Sequence, residues 1–293
     1  NEIKISMIGY RDTTLFINQN NIQNKYQVFL NPKTIQMAGV TVHSHKESKE
    51  NVAPSSISMI GSKLKKNIIS DLATTLTGES GIAVRSSGQA TQRPILRGYS
   101  GDRFLITSDN FELGDMSNST ADHAVIMEIS SAESIELIRG PETLVYGSNT
   151  IAGIINILTP VYRQQKLDNP NYKFLMGHES TNQSNLLSAN INVPLKSYQI
   201  FTNYTKRTAK DQSSPLGTLR NTALIKDDFT LAITKFGQKN FSTLQIKSFL
   251  MDYGIPGSPE GHIDGVDLKL KNLSQKLLYH SDINISSFKF LEL

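Results

Sequence analysis

Apolar and polar positions change their rhythm three times along this chain. Up to about residue 46, runs such as "IKISMIGY", "TTLFI" and "KYQVFL" are rich in Ile, Tyr, Phe and Thr. They predict β-strands, the last closed by a turn at Asn31-Pro32. "MAGVTVHSHKESKENVAPSS" then turns polar, charged and small, the composition of a linker. Residues 55–160 are mixed. Leu64, Ile68, Ile69, Leu72 and Leu76 fall at helical spacing with Gly78 as the expected C-cap. Ile95–Leu96 and Phe104–Thr107 predict short strands. "SSAESIELIRG" offers a serine N-cap with Glu133 in a first helical turn, and Pro141 stands where a helix can start. "GIINILT" predicts a compact strand. Gly98, Gly140, Gly147 and Gly153 are expected at tight turns where backbones pass closely.

From residue 161 the period becomes two. Leu187, Ala189, Ile191 and Val193 alternate with Ser188, Asn190 and Asn192. Tyr198, Ile200, Thr202 and Tyr204 alternate with Gln199, Asn203 and Thr205. Phe229, Leu231 and Ile233 repeat the pattern, as do Val266, Leu268 and Leu270. A transmembrane β-barrel is written this way. An antiparallel sheet with one wet face gives the same alternation.

Length, charge and composition narrow the function classes. A chain of 293 residues can bury a sizeable core and hold more than one domain. Its basic residues are dispersed except for Lys63, Lys65 and Lys66, a solvated cluster rather than a nucleic-acid footprint. With no cysteine, disulfides, thiolate metal sites and Cys nucleophiles are excluded. No apolar run reaches the roughly 18–20 residues of a spanning helix, so a membrane location would require a barrel. The start at "NEIKISMIGY" lacks a signal peptide's parts and reads as the middle of something. No Walker loop, His-Glu-x-x-His or G-x-S-x-G is found, so no enzyme is expected.

Several spaced motifs occur in one order over about a hundred residues. They are Arg97-Gly98, Asp109 of a D-G-type turn, Ile135-Glu136, Arg139-Gly140-Pro141, Tyr146-Gly147, and Gly153 with Ile154, Ile155 and Asn156. Together they resemble the plug domain of TonB-dependent outer-membrane receptors. Asn110 stands where that family usually has glycine, and Asn also tolerates positive φ. Residues 1–36 resemble the last strands of a carboxypeptidase-regulatory-like β-sandwich that precedes the plug in Bacteroidetes receptors. Residues 37–54 resemble a TonB box and linker, with Gly39, Val40, Thr41 and Val42 as the partner-binding run, able to add as a strand to a partner sheet. The resemblance implies an α+β plug over 55–160, a barrel of about 22 strands beginning at 161–293, and an N-terminal β-sandwich remnant.

The resemblance implies active import of a scarce nutrient across a Gram-negative outer membrane, energised by TonB–ExbB–ExbD. A metal ion or chelate is the expected cargo, zinc narrowly ahead of siderophores or haem. Arg97 and Arg139 are expected to latch plug to barrel through barrel glutamates, with Glu136 the nearest local partner of Arg139. Asp122 and His123 in "STADHAVIM" could supply two of four zinc ligands. His43 and His45 read as solvated linker residues. His262 and Asp264 sit in "DYGIPGSPEGHIDGVD", which reads as an extracellular hairpin loop. About six to eight candidate strands fit after residue 160, so a partial receptor is expected, without its export region and most of its barrel. The alternatives are a soluble or surface β-rich binding protein and a non-functional receptor fragment.

Overall fold

The computed structural model describes residues 2–5, 13–16, 28, 57–61, 63–64, 71–114, 120, 123–147, 150–161, 165–259, 261–281 and 291–292. The chain divides into Asn1–His43 and Ser44–Leu293. In the first unit β1 (Glu2–Ile5) pairs antiparallel with β2 (Thr13–Phe16). The TonB-box-like run and its linker lie outside the described residues.

The second unit begins with a mixed globule. Its elements are β3 (Ile57–Ile60), α1 (Leu72–Leu76), β4 (Ile82–Arg85), β5 (Arg93–Leu96), β6 (Leu105–Ser108), β7 (Phe111–Glu112), β8 (Ser134–Ile138) and β9 (Ile154–Leu158). A 3-10 helix spans Gly140–Tyr146, with Pro141 in its first turn where a missing N–H costs nothing. The sheet order is β3-β8-β9-β6-β7, parallel only between β6 and β9. Leu64, Leu72, Leu76, Leu96, Phe104, Ile135, Leu137, Ile155 and Ile157 form one core. Of the predicted helix, Leu64 and Leu72–Leu76 are helical and the stretch from residue 65 to 70 is not described. Asp71 caps it by accepting from the Thr74 N–H at 2.9 Å, and Thr77 rather than Gly78 is the C-cap.

"SSAESIELIRG" is a strand, not the start of a helix. Ser134, Ile135 and Leu137 are all buried and β8 pairs on both sides, so neighbouring strands overrode the capping signal.

The rest is a wall of long antiparallel strands. These are β10 (Asn171–Glu179), β11 (Ser184–Leu195), β12 (Tyr198–Ala209), β15 (Leu224–Phe236), β16 (Asn240–Ile255), β17 (Val266–Ser281) and the short β18 (Leu291–Glu292), hydrogen-bonded in chain order as an open sheet. A hairpin of β13 (Gln212–Ser214) and β14 (Gly217–Leu219) stands between β12 and β15. On one face Ser188, Asn190, Asn192, Gln199, Asn203, Thr205, Thr230 and Thr243 are buried. On the other, Phe174, Met176, Leu187, Tyr204, Phe229, Ile233, Leu244 and Leu277 are exposed. Polar inside and apolar outside inverts the rule for a sheet in water and resolves the ambiguity of the alternation. Among the described residues no helix is long and apolar enough to cross a membrane.

The exposed face of β17 changes character along its length. Asp267, Lys269 and Lys271 are exposed near its start, whereas Leu273 and Leu277 are exposed further along. Lys269 bonds Asp252 at 3.0 Å on β16. The apolar band therefore ends near Leu273. At this end lie the longer connections, residues 210–223 and 256–265, with the short turn of residues 180–183, and at the other the tight turns after Leu195 and Phe236. Short turns inside and longer loops outside are the arrangement of outer-membrane barrels. Ile233, 41% exposed in the apolar band, offers a check. Ile233→Lys is expected to destabilise the membrane-inserted wall by about 2–4 kcal/mol, read as a lowered urea midpoint in lipid vesicles.

Candidate plug–wall site

The DN turn and the Gly-rich motifs meet at one place. Asp109 and Asn110 both have positive φ, 52° and 66°, so the turn keeps its left-handed form without glycine. Asn156, on the central strand β9, is buried. Its Oδ1 accepts from Thr107 Oγ1 at 2.8 Å and from the Asn110 N–H at 3.1 Å. Its Nδ2 donates to Asn110 Oδ1 at 2.8 Å and to Glu136 Oε2 at 3.2 Å. Tyr146 Oη donates to the same Asn110 oxygen at 3.3 Å. Burial and the carboxylates of Glu136 and Glu142 push the Tyr146 phenol up to about 12, so it remains a donor at neutral pH. Asp109 accepts from the Thr159 N–H at 2.7 Å and the Thr159 hydroxyl at 2.9 Å, tying the turn to the end of β9. Burial pushes its carboxyl up, against the pull of Thr159 and Lys276.

Among the described residues three groups of polar contacts join the globule to the wall, beside the packing of Leu175 of β10 on the globule's core. The most extensive is residues 124–130, a strap with no regular secondary structure. The Ala124 N–H donates to Tyr253 Oη at 3.2 Å. Glu128, 2% exposed, meets Lys226 Nζ at 2.5 Å and Arg207 at 3.7 Å, each also buried. The Ser130 hydroxyl lies 2.7 Å from Thr205 Oγ1 and 3.2 Å from Ser188 Oγ, while Lys173 donates to its carbonyl at 3.0 Å. The strap thus reaches β10, β11, β12, β15 and β16. Beside it Lys247 pairs with Asp228 at 3.2 Å and approaches Met127 Sδ at 4.0 Å. Burial alone would raise the Glu128 pKa, but Lys226 and Arg207 outweigh it and hold the carboxyl down at about 2.

The second contact is Lys276 of β17, which donates to the Ser108 carbonyl at 3.1 Å with its ammonium 4.9 Å from the Phe111 ring. The third lies at the loop end. Gln89 Nε2 donates to the carbonyls of Lys210 at 2.6 Å and Thr222 at 2.5 Å, and its oxygen accepts from Asn182 at 2.6 Å. Here the interface is also apolar, with Ala90 and Ala124 against Leu224, Phe249, Met251 and Tyr253.

The expected site residues are distributed differently. Arg139 is buried and donates from its guanidinium to the Ser80 carbonyl at 2.7 Å, inside the globule. Burial and the neighbouring Arg97 lower its pKa, and Glu79 opposes them. Arg97 is exposed, with φ 51°. Gly98, Gly140, Gly147 and Gly153 all take positive φ. Asp122 lies outside the described residues, and His123 is partly buried. Among the described residues no group of three or more His, Asp or Glu could hold a metal ion. Glu128 was legible only as a lone acid in the apolar run "HAVIMEI", and Gln89 carried no signal beyond a small polar loop.

A mixed globule strapped to an antiparallel sheet that is polar within and apolar without has the architecture of a plugged transmembrane β-barrel. Residues 49–154 match the family model for the TonB-dependent Receptor Plug Domain, and globule and wall together share the fold of the solved structures named below. The iron-regulated outer membrane virulence protein of Vibrio cholerae is 31% identical over 140 residues, covering 45% of this chain and 21% of that protein. The vitamin B12 transporter BtuB of Vibrio vulnificus is 35% identical over 101 residues, covering 33% and 16%. Among solved structures, the copper transporter OprC superposes with TM-score 0.69 at 17% identity, over 82% of this chain and 36% of that one. The siderophore receptor PirA from Acinetobacter baumannii gives TM-score 0.62 at 14% identity, over 79% and 38%. The chain thus spans about a fifth of the length of the curated relatives named here. BtuB, OprC and PirA are named as transporters or receptors, none of them as an enzyme.

Proposed function

We propose that this chain works in TonB-coupled import of a scarce nutrient, a metal ion or metal chelate, across the outer membrane of a Gram-negative bacterium. The observation that carries the reading is the inverted wall with a plug held to it chiefly by polar contacts. Such contacts hold a plug in place yet exchange with water at small net cost when it is displaced. The lipid-facing band of Phe174, Met176, Leu187, Phe229 and Ile233 belongs to the same reading, since those side chains would be left in water otherwise.

Cargo reaches the loop end, near Gln89, and the energising complex acts through Gly39–Val42, the β-prone run that can add as a strand to a partner sheet. Force on that run reaches β3, the edge strand of the plug sheet, first. Deleting Met37–Ser44 in the intact receptor is expected to abolish energised uptake and leave surface binding of cargo unchanged. Uptake that survives the deletion would refute this assignment. Arg97 and Arg139 remain proposed as additional plug-to-barrel contacts.

Zinc is the narrower reading, resting on Asp122 and His123. Calorimetry of Zn²⁺ on the intact receptor should show weaker binding after joint Asp122→Ala and His123→Ala substitution. Equal affinity would remove both residues from the proposal.

A further inference from the structure

Asp228 on β15 stands beside the Glu128 contact without taking part in it. It is 1% exposed, and its ion pair with Lys247 at 3.2 Å lies off the line of a hydrogen bond, so both carboxylate oxygens lack a hydrogen-bond donor among the described residues. A buried carboxylate left in that state is costly and calls for an explanation. Its neighbours supply one. Lys226 and Asp228 are two residues apart on β15 and both face inward, with about 7 Å between their Cα atoms, a span that a lysine's four-carbon stem covers. Arg207 lies directly opposite Lys226 and Thr205 opposite Asp228, which makes Arg207 the diagonal neighbour of Asp228. Both cations that hold Glu128 therefore have a second carboxylate within reach, fixed to the wall itself. With the strap seated, Lys226 turns to Glu128 at 2.5 Å and Asp228 is left to Lys247.

We propose that Asp228 is the stand-in partner of Lys226: when the strap withdraws from the wall, Lys226 swings from Glu128 to Asp228, and it swings back when the strap returns. This deepens the import reading and rests on it, since it describes how one contact of the plug opens and re-forms. Taking Glu128 away from buried cations is strongly unfavourable when nothing replaces it, whereas exchanging one carboxylate for another keeps Lys226 paired throughout. The apolar part of the strap's hold, Ala124 and Ile126 on the wall and Met127 and Ile129 in the plug core, is untouched by the exchange. Asp228 thus acts through Lys226 as a positioning residue. It keeps the wall's half of the contact assembled beside the place to which Glu128 returns.

The test is a double-mutant cycle on the intact receptor in lipid vesicles, read as the urea unfolding equilibrium. Glu128→Ala leaves Asp228 as the partner of Lys226, and Asp228→Asn leaves Glu128. Removing both carboxylates strands Lys226, so the double variant is expected to shift the unfolding constant about tenfold beyond the product of the two single shifts. Asp228→Glu in the Glu128→Ala background keeps a carboxylate in reach and should show no such excess. Adding Lys226→Gln to every member of the cycle should abolish the excess, which a role of Asp228 confined to Lys247 would not do. Single shifts that simply multiply, or an excess that survives Lys226→Gln, overturn the proposal. Where the double variant does not insert, a crystal structure of Glu128→Ala decides: Lys226 Nζ is expected about 3 Å from the Asp228 carboxylate, and a Lys226 turned elsewhere refutes the exchange. A multiplicative cycle with uptake abolished by deletion of Met37–Ser44 leaves import standing and removes the exchange. An excess with uptake that survives the deletion keeps the exchange and removes the import reading.

Discussion

Gly153→Ala is expected to cost the plug its folded state. Gly153 enters β9 at φ +135°, where a Cβ would lie 2.7 Å from the Ile138 carbonyl oxygen and 2.9 Å from Leu96 Cδ2. The first neighbour is backbone of β8 and the second a core side chain, so neither can step aside cheaply. Strain in the left-handed region adds about 1–3 kcal/mol and the overlap a comparable amount. β9 is the middle strand of the plug sheet, so the damage spreads to β8 and β6 together. Limited proteolysis of the membrane-inserted receptor checks this: the variant plug should be digested under conditions that leave the native plug intact, while the wall persists. Gly98 makes the contrast, because nothing lies within 4 Å of its Cβ position and only its φ of +81° opposes substitution. Gly98→Asn should therefore be far milder.

Glu128→Ala is expected to release the strap from the wall at a cost of about 3–5 kcal/mol, since it strands two buried cations. Met127 and Ile129 on either side of it still pack in the plug core, so the effect should be local: faster amide exchange around Glu128 with β8 and β9 still protected. Acid should reproduce it. The carboxyl titrates near 4.5 when the strap is free and near 2 when it is held. A depressed folded-state pKa means the contact contributes in full above about 4.5 and is lost as pH falls toward 2. Exchange of the strap should accelerate across that window in the native receptor. In Glu128→Gln that acceleration should be absent.

Much of the architecture was written in the sequence because its causes are local. Strict alternation marked β11, β12 and β15, and the spaced glycines, the DN turn and "GIINILT" marked the plug. Alternation could not say which face met water; that became clear only when Ser188, Asn203 and Thr205 were found against the plug. β8 was misread because a serine followed by Glu133 is a genuine capping signal, and only its two neighbouring strands outbid it. The site was less legible. Arginines after apolar residues pointed to a latch of Arg97 and Arg139 on barrel glutamates, and gave no hint of the contact described here, with Glu128 on the plug and Arg207 and Lys226 on the wall. Those three residues are far apart in the chain, and a pairing between distant strands leaves no mark in local spacing.

The plug's first strand, β3, lies at the edge of its sheet, and its last, β9, at the centre, where it runs on to Thr159 and the wall. A pull applied at the leading end therefore strips the outermost ribbon first, while the middle of the fold stays moored by its own continuation. Under the import reading the displaced sheet stays leashed to the wall through β9, while β8, the hydrogen-bonding partner of β3, keeps the edge on which the stripped ribbon re-forms.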